Sequence, residues 1–239
     1  MDDKIKLLQK WIDESENIVF FGGAGVSTES GIKDFRSKDG LYNMKYKYPP
    51  ESILSHSFFM RNPKEFYDFY RDKLNCLDAI PNICHKYLVK LEKTGKLDAI
   101  ITQNIDGLHE KAGSTNVLNL HGTIYKNFCM NCGKEISYVK VFENNDIPKC
   151  DCGGIIKPDV VLYGEALPEN IFNQALIAVN KSDLMIVAGT SLTVYPASSF
   201  VSFFKGKHLV IINNDATDYD KIANLVIHDR IGNVFKKLK

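Results

Sequence analysis

No apolar run in this 239-residue chain approaches the ~18–20 residues a helix needs to cross a bilayer. An excess of either charge is missing too. The 30 Lys and Arg against 29 Asp and Glu leave a formal net charge of +1, so neither nucleic acid nor a membrane surface is expected as a partner. The opening MDDKIKLLQKW is charged and holds no signal-peptide core, which makes a cytoplasmic protein the expectation. There are no internal repeats, no low-complexity tracts and no linker between independent domains. What the chain does have is 44% hydrophobic residues, enough for a substantial core as one domain, or as a domain with a smaller insert.

Four of the six cysteines fall in two close pairs, Cys129-x-x-Cys132 and Cys150-x-Cys152, while Cys76 and Cys84 lie in a region that reads as helical. With no sign of secretion, a disulfide framework is not expected. Two pairs separated by a short excursion, with Gly133 and Gly153 behind them, predict a four-thiolate zinc site. Four thiolates close the coordination sphere, so such a metal is structural. The second pair is one residue shorter than the usual spacing, and a redox-active thiol pair remains the alternative.

The remaining chemistry is organised around residues 20–36, FFGGAGVSTESGIKDFR. The apolar run Ile18, Val19, Phe20, Phe21 reads as a buried parallel strand and breaks into Gly22-Gly23-Ala24-Gly25. Glycines after a strand let the backbone turn sharply and bring N–H groups against a diphosphate at a helix start. Gly23-x-Gly25 fits a dinucleotide fingerprint, but Thr28 stands where its third glycine belongs, so an ordinary tight strand–helix turn stays open. Ser27, Thr28, Ser30, Asp34 and Arg36 crowd polar groups into the next segment, like a loop that closes over a ligand.

Along the chain, Ile5, Leu8, Trp11 and Ile12 recur at helical spacing before the first strand. Residues 38–91 read as mostly helical after Pro49-Pro50, with an aromatic stripe (Phe58, Phe59, Phe66, Tyr67, Phe69, Tyr70) that suits a core better than a ligand box. Further strands are expected over 98–102, 117–120, 159–163, 184–188 and 208–212, with a helix near 170–180. Nearly continuous apolar strands alternating with helices predict a parallel sheet covered on both faces. Polar clusters follow Thr102, Leu120, Tyr163, Ala188 and Ile212, at the edge where open α/β sheets bind ligands. Strands lie on both sides of the cysteine module, which must therefore be an insertion.

GAGVSTESGIKDFRS (23–37), TQNIDGLH (102–109), His121-Gly122, the cysteine pairs, KPDVVLYGEALP (157–168) and GTSL (189–192) together resemble the sirtuin family of NAD-dependent protein lysine deacylases, here of bacterial or archaeal catalytic-core type. The resemblance spans nearly the whole chain. It implies a single catalytic domain of α/β class: a Rossmann-like parallel sheet, about 1–37, 92–123 and 157–239, with a small domain built from a helical insertion, about 38–91, and a zinc module, about 124–156. It implies NAD as a consumed co-substrate, acetyl transfer from acetyl-lysine to ADP-ribose, release of nicotinamide and 2'-O-acetyl-ADP-ribose, and one structural zinc. A monomer is expected.

The residue roles follow from the same resemblance. Ala24, Thr28, Phe35 and Arg36 line the diphosphate and nicotinamide-ribose side, with Phe35 shielding the reactive centre. Gln103, Asn104, Ile105 and Asp106 form the nicotinamide and ribose pocket, and Asn104 and Asp106 join His121 as the catalytic group. His121 is the base that takes a proton from a ribose hydroxyl, a task suited to an imidazole that titrates near neutrality. Thr190, Ser191 and Asn213 bind the adenosine half, with Asn214 and Asp215 near its ribose and Ile231 near adenine. The acetyl-lysine peptide adds as a strand between Gly164-Glu165 and residues 192–194, with Val160 and Phe35 flanking the alkyl tunnel. Tyr163 stands where the family more often has Phe. Family members that remove succinyl or malonyl groups carry Tyr-x-x-Arg. Here Tyr67 is followed by Tyr70, and Arg71 comes one position late, so neutral acyl groups are expected. From the residues alone, a nicotinamide oxidoreductase, an ADP-ribosyltransferase and a zinc-ribbon interaction module are the alternatives from other classes.

Overall fold

The computed structural model describes residues 1–35, 40–43, 46–143 and 145–239. Its strands are β1 (Ile18–Gly22), β2 (Leu97–Thr102), β3 (Val117–Asn119), β4 (Gly122–Cys129), β5 (Glu135–Ser137), β6 (Ile156–Val160), β7 (Leu184–Ala188), β8 (His208–Ile212) and β9 (Leu225–Ile227). Six of them form one sheet in the order β3-β2-β1-β7-β8-β9, parallel throughout. The other three form an antiparallel sheet in the order β5-β4-β6.

Alternation along each parallel strand explains why the apolar runs are unbroken. Ile18 and Phe20 of β1 pack with Ile186 and Val210 against the helices Asp2–Glu14 and Ile83–Lys93 on one face. Val19 and Phe21 pack with Val187 and Ile211 against the helices Glu169–Lys181 and Phe200–Phe203 on the other. Both faces are dry, so every position wants an apolar residue. The first helix buries Ile5, Leu8 and Ile12, as their spacing predicts, and Trp11 stacks on His208 with ring centroids 4.0 Å apart.

The expected parallel strand over 159–163 is not in this sheet. The extended segment is β6, which ends at Val160 and pairs antiparallel with β4. Its buried residues are Ile156, Pro158 and Val160, with Lys157 and Asp159 half-exposed between them. That period of two marks a strand wet on one face, and the run Val160-Val161-Leu162 hides it in the sequence. Strand β9, three residues long, carries too little pattern to be read beforehand.

Within the helical insertion, Pro63 opens the helix Pro63–Lys73 and Ser55 caps the helix His56–Arg61, accepting from Phe58 N–H at 3.2 Å. Phe59, Phe66, Tyr67 and Tyr70 are buried with Ile124, Ile156 and Val160 of the small sheet, so the aromatic stripe is core. Among the described residues, no helix is long and apolar enough to cross a membrane.

Candidate active site and metal centre

The strand order reverses between β1 and β7: β2 and β3 extend the sheet on one side, β8 and β9 on the other. A crevice forms at the carboxyl ends of strands at such a reversal. Two loops meet there. Gly25 N–H donates to Gly189 C=O at 2.8 Å, and Gly23 N–H donates to Ala188 C=O at 3.1 Å. A Cβ on Gly25 would stand 2.7 Å from Gly189 Cα, so only glycine permits this approach. The amides of Gly23 and Gly25 are thus spent on the β7 loop. Glycine at these two positions permits loop-to-loop packing at the rim of the crevice.

Three polar residues after β1 and β2 form a buried chain. Asn104 Nδ2 donates to Ser27 Oγ at 3.1 Å, and Ser27 Oγ donates to Asp106 Oδ2 at 2.6 Å. Asp106 Oδ1 accepts from Leu108 N–H at 2.9 Å. Burial pushes the Asp106 carboxyl above its ordinary value, opposed by the Ser27 and Leu108 hydrogen bonds. His121 stands between β3 and β4, where its Nδ1 lies 2.9 Å from Gln103 C=O. A carbonyl only accepts, so Nδ1 carries the proton and Nε2 keeps a basic lone pair. Burial lowers the His121 value, against the opposing pull of the Gln103 carbonyl, so the ring is neutral at pH 7.

These groups line one cavity of about 1070 Å³, just above the usual range for small-molecule sites and roomy enough for a dinucleotide and a lysine side chain. Ala24, Thr28 and Phe35 line it from the β1 loop, and Gln103, Asn104, Ile105 and Asp106 from the β2 end, with His121 beyond β3. Thr190 and Ser191 contribute from the β7 loop, Asn213 and Asn214 follow β8, and Ile231 opens the final helix Ile231–Phe235. Gly164, Glu165 and Val194 border the same space. The expected NAD-contact residues therefore converge, apart from Arg36, which lies outside the described residues. Of the expected peptide edge 192–194, Val194 is on this lining, whereas Leu192 is buried in the core.

The Sγ atoms of Cys129, Cys132, Cys150 and Cys152 all lie within 4.8 Å of one another. Cys129 and Cys152 are 3.4 Å apart, and Cys132 and Cys150 are 3.7 Å apart. A tetrahedron with Zn–S bonds of ~2.3 Å needs sulfurs about 3.8 Å apart, so the cluster fits a structural zinc. Each pair sits on a tight turn, with Gly133 N–H donating to Cys129 C=O and Gly153 N–H to Cys150 C=O, both at 2.9 Å. The short Cys150-x-Cys152 spacing is accommodated by Gly154, where a Cβ would stand 2.7 Å from Cys129 Sγ.

The model of the Sir2 family matches residues 23–196. The chain belongs to the Sir2 family. An NAD-dependent protein deacetylase of Clostridium acetobutylicum is 54% identical over 239 residues, covering 98% of this chain and 97% of its own length. Another, of Staphylococcus aureus (strain COL), is 44% identical over 241 residues, covering 100% and 99%. Among solved structures, a Sir2–p53 peptide–NAD+ complex superposes with a TM-score of 0.87 at 37% identity, covering 98% of this chain and 96% of that one. A Sir2 variant in complex with deacetylated p53 peptide and 3'-O-acetyl ADP ribose superposes with a TM-score of 0.90 at 38% identity, covering 97% and 96%.

In this Sir2-family chain, sequence reasoning gave Ser27 no role, although it bridges Asn104 and Asp106. Its place in the crowded segment after the glycines was the only available signal, because its partners lie 77 and 79 residues away. Glu29, too, acts through a partner distant in sequence. Its Oε1 accepts from Gly232 N–H at 3.0 Å, tying the β1 loop to the last helix. Tyr67 is fully buried and its hydroxyl donates to Ile156 C=O. Arg71 donates from Nε to Val141 C=O at 2.8 Å and from a terminal nitrogen to Asp146 C=O, so the insert's own backbone engages its guanidinium.

Proposed function

We propose that this chain is an NAD-dependent protein lysine deacetylase that moves the acetyl group of acetyl-lysine onto ADP-ribose. Bound NAD supplies the ribose carbon that receives the acetyl oxygen, the nicotinamide that departs, and the hydroxyl that finally carries the acetyl group. The observation that carries the reading is the placement of His121, with its Nδ1 2.9 Å from Gln103 C=O, in a cavity that also contains Asn104 and Asp106.

His121 Nε2 accepts the proton of the ribose hydroxyl. Asp106 Oδ2, which already accepts from Ser27, has capacity for a further hydrogen bond and receives one from the nicotinamide carboxamide. Asn104, fixed through Ser27, orients a ribose hydroxyl or a water. Phe35, at 5.5 Å between ring centroids from Tyr42, keeps bulk water from the reacting carbon, while Arg36 joins Ala24 and Thr28 on the diphosphate side. Thr190, Ser191, Asn213 and Asn214 hold the adenosine half, and Ile231 meets adenine. Much of the rate acceleration is positioning.

The acetyl-lysine peptide adds as a strand between Gly164-Glu165 and residues 192–194, through main-chain hydrogen bonds that make little demand on sequence. The division of labour follows the two sheets. The parallel core, about 1–37, 92–123 and 157–239, holds NAD, joined by the helix Ile83–Lys93 that packs on its sheet. The rest of the 38–91 insertion and the 124–156 insertion form the small domain together with β6, which carries the chain back from it. Four thiolates suited to zinc are at home in a reducing cytoplasm, where the enzyme works as a monomer.

Incubation with NAD and an acetyl-lysine peptide, followed by mass spectrometry, tests this. Nicotinamide and O-acetyl-ADP-ribose are expected. NADH, or ADP-ribose attached to protein, would assign the site to an oxidoreductase or an ADP-ribosyltransferase instead.

A further inference from the structure

Leu192 is the one non-glycine residue with a positive φ, +55°, among the described residues. A branched apolar side chain resists this left-handed conformation, so something must hold the backbone there. Its side chain is buried, 3% exposed, in the core beneath β7 and β8. Its N–H donates to Thr190 Oγ1 at 3.2 Å, and Thr190 Oγ1 in turn donates to Gln103 Oε1 at 2.8 Å. The Gln103 main-chain carbonyl is the group that holds His121 Nδ1.

One hydroxyl thus stands between the loop that fixes the base and the turn that opens residues 192–194. Room for it comes from Gly23. A Cβ there would lie 2.7 Å from Thr190 Cβ and 3.0 Å from Gln103 Oε1, so any side chain at 23 would wedge the pair apart. Non-glycine residues kept at positive φ cluster where a site needs an unusual chain direction. Here the direction decides where Thr193 and Val194 run, and Val194 borders the cavity.

We propose that Thr190 is a positioning residue for the peptide substrate. Its hydroxyl locks Leu192 in the left-handed turn that aims the 193–194 edge at the incoming strand, and the Gln103 side chain registers that edge against His121. This rests on the deacetylase reading and assigns Thr190 a task beyond contact with adenosine. Without the hydroxyl, Leu192 N–H and Gln103 Oε1 both lose their partner, and the edge relaxes toward ordinary backbone angles.

The test compares Thr190→Ser, which keeps the hydroxyl, with Thr190→Val and Thr190→Ala, which lose it with and without the bulk. The Michaelis constants for acetyl-lysine peptide and for NAD are measured separately, beside melting curves. Valine and alanine are expected to raise the peptide KM about tenfold, equivalent to ~1.4 kcal/mol, and the NAD KM by clearly less. Serine is expected within about twofold of wild type. If valine and alanine raise only the NAD KM, or if serine matches alanine, the proposal is overturned. A wild-type chain that releases no nicotinamide would sink the deacetylase reading, and this inference with it. An active wild type whose alanine variant keeps its peptide KM removes the inference alone.

Discussion

Acid should unfold this protein through a buried histidine pair that takes no part in the chemistry. His85 and His109 are 0% and 1% exposed, with ring centroids 4.7 Å apart. His85 Nδ1 accepts from Asn82 N–H at 3.2 Å in a capping box at the start of the helix Ile83–Lys93, so the neutral ring is protonated on Nε2. That atom and both His109 nitrogens have no hydrogen-bond partner among the described residues. Burial lowers His85 from 6.5 to about 4, and burial together with His85 puts His109 well below its ordinary value. As pH falls below 6.5 the unfolded chain binds a proton at residue 85, whereas the folded chain does not until near 4. Stability due to this ring is therefore fully present above 6.5 and lost across that window. At ~1.36 kcal/mol per pH unit, descent to pH 5 costs about 2 kcal/mol, or about 4–8 °C in melting temperature for a domain of this size. Glutamine at 85 keeps the acceptor a capping box needs and removes the titration. Urea unfolding of wild type and His85→Gln at pH 7 and pH 5 is the assay, and carboxylate and thiolate effects common to both cancel in the difference. Parallel pH dependences would refute the assignment.

Other outcomes follow from the site. His121→Ala should retain the fold and NAD affinity while turnover drops about 10²–10⁴-fold; unchanged turnover removes the base assignment. Cys129→Ala should release the metal and melt the small sheet, read by metal analysis and thermal unfolding, and full zinc content with normal stability would contradict the four-thiolate site. With two Arg71 nitrogens committed to Val141 C=O and Asp146 C=O, this guanidinium is not offered to an acid-bearing acyl group. Burying that carboxylate costs several kcal/mol, so desuccinylation should run at least about 100-fold slower than deacetylation of the same peptide. Faster desuccinylation would overturn the acyl preference.

The features legible before folding were local or periodic. Unbroken apolar runs such as Ile18 to Phe21 dictated a doubly covered parallel sheet, because only a strand dry on both faces wants every position apolar. The cysteine pairs announced a metal because ligand spacing within a tight turn is a short-range property. His121-Gly122 and the clusters after Thr102, Ala188 and Ile212 marked one rim of the sheet, since each follows a parallel strand; the cluster after Tyr163 follows no strand of that sheet. The rest came from partners distant in sequence. Ser27 acquires its role from Asp106, 79 residues on, and Gly23 and Gly25 acquire theirs from the β7 loop. Strand β6 changes sheet because β4 offers it an edge. No window of sequence contains both members of such a pair, so the hydrogen bond or close approach that selects the residue exists only once the chain has closed on itself.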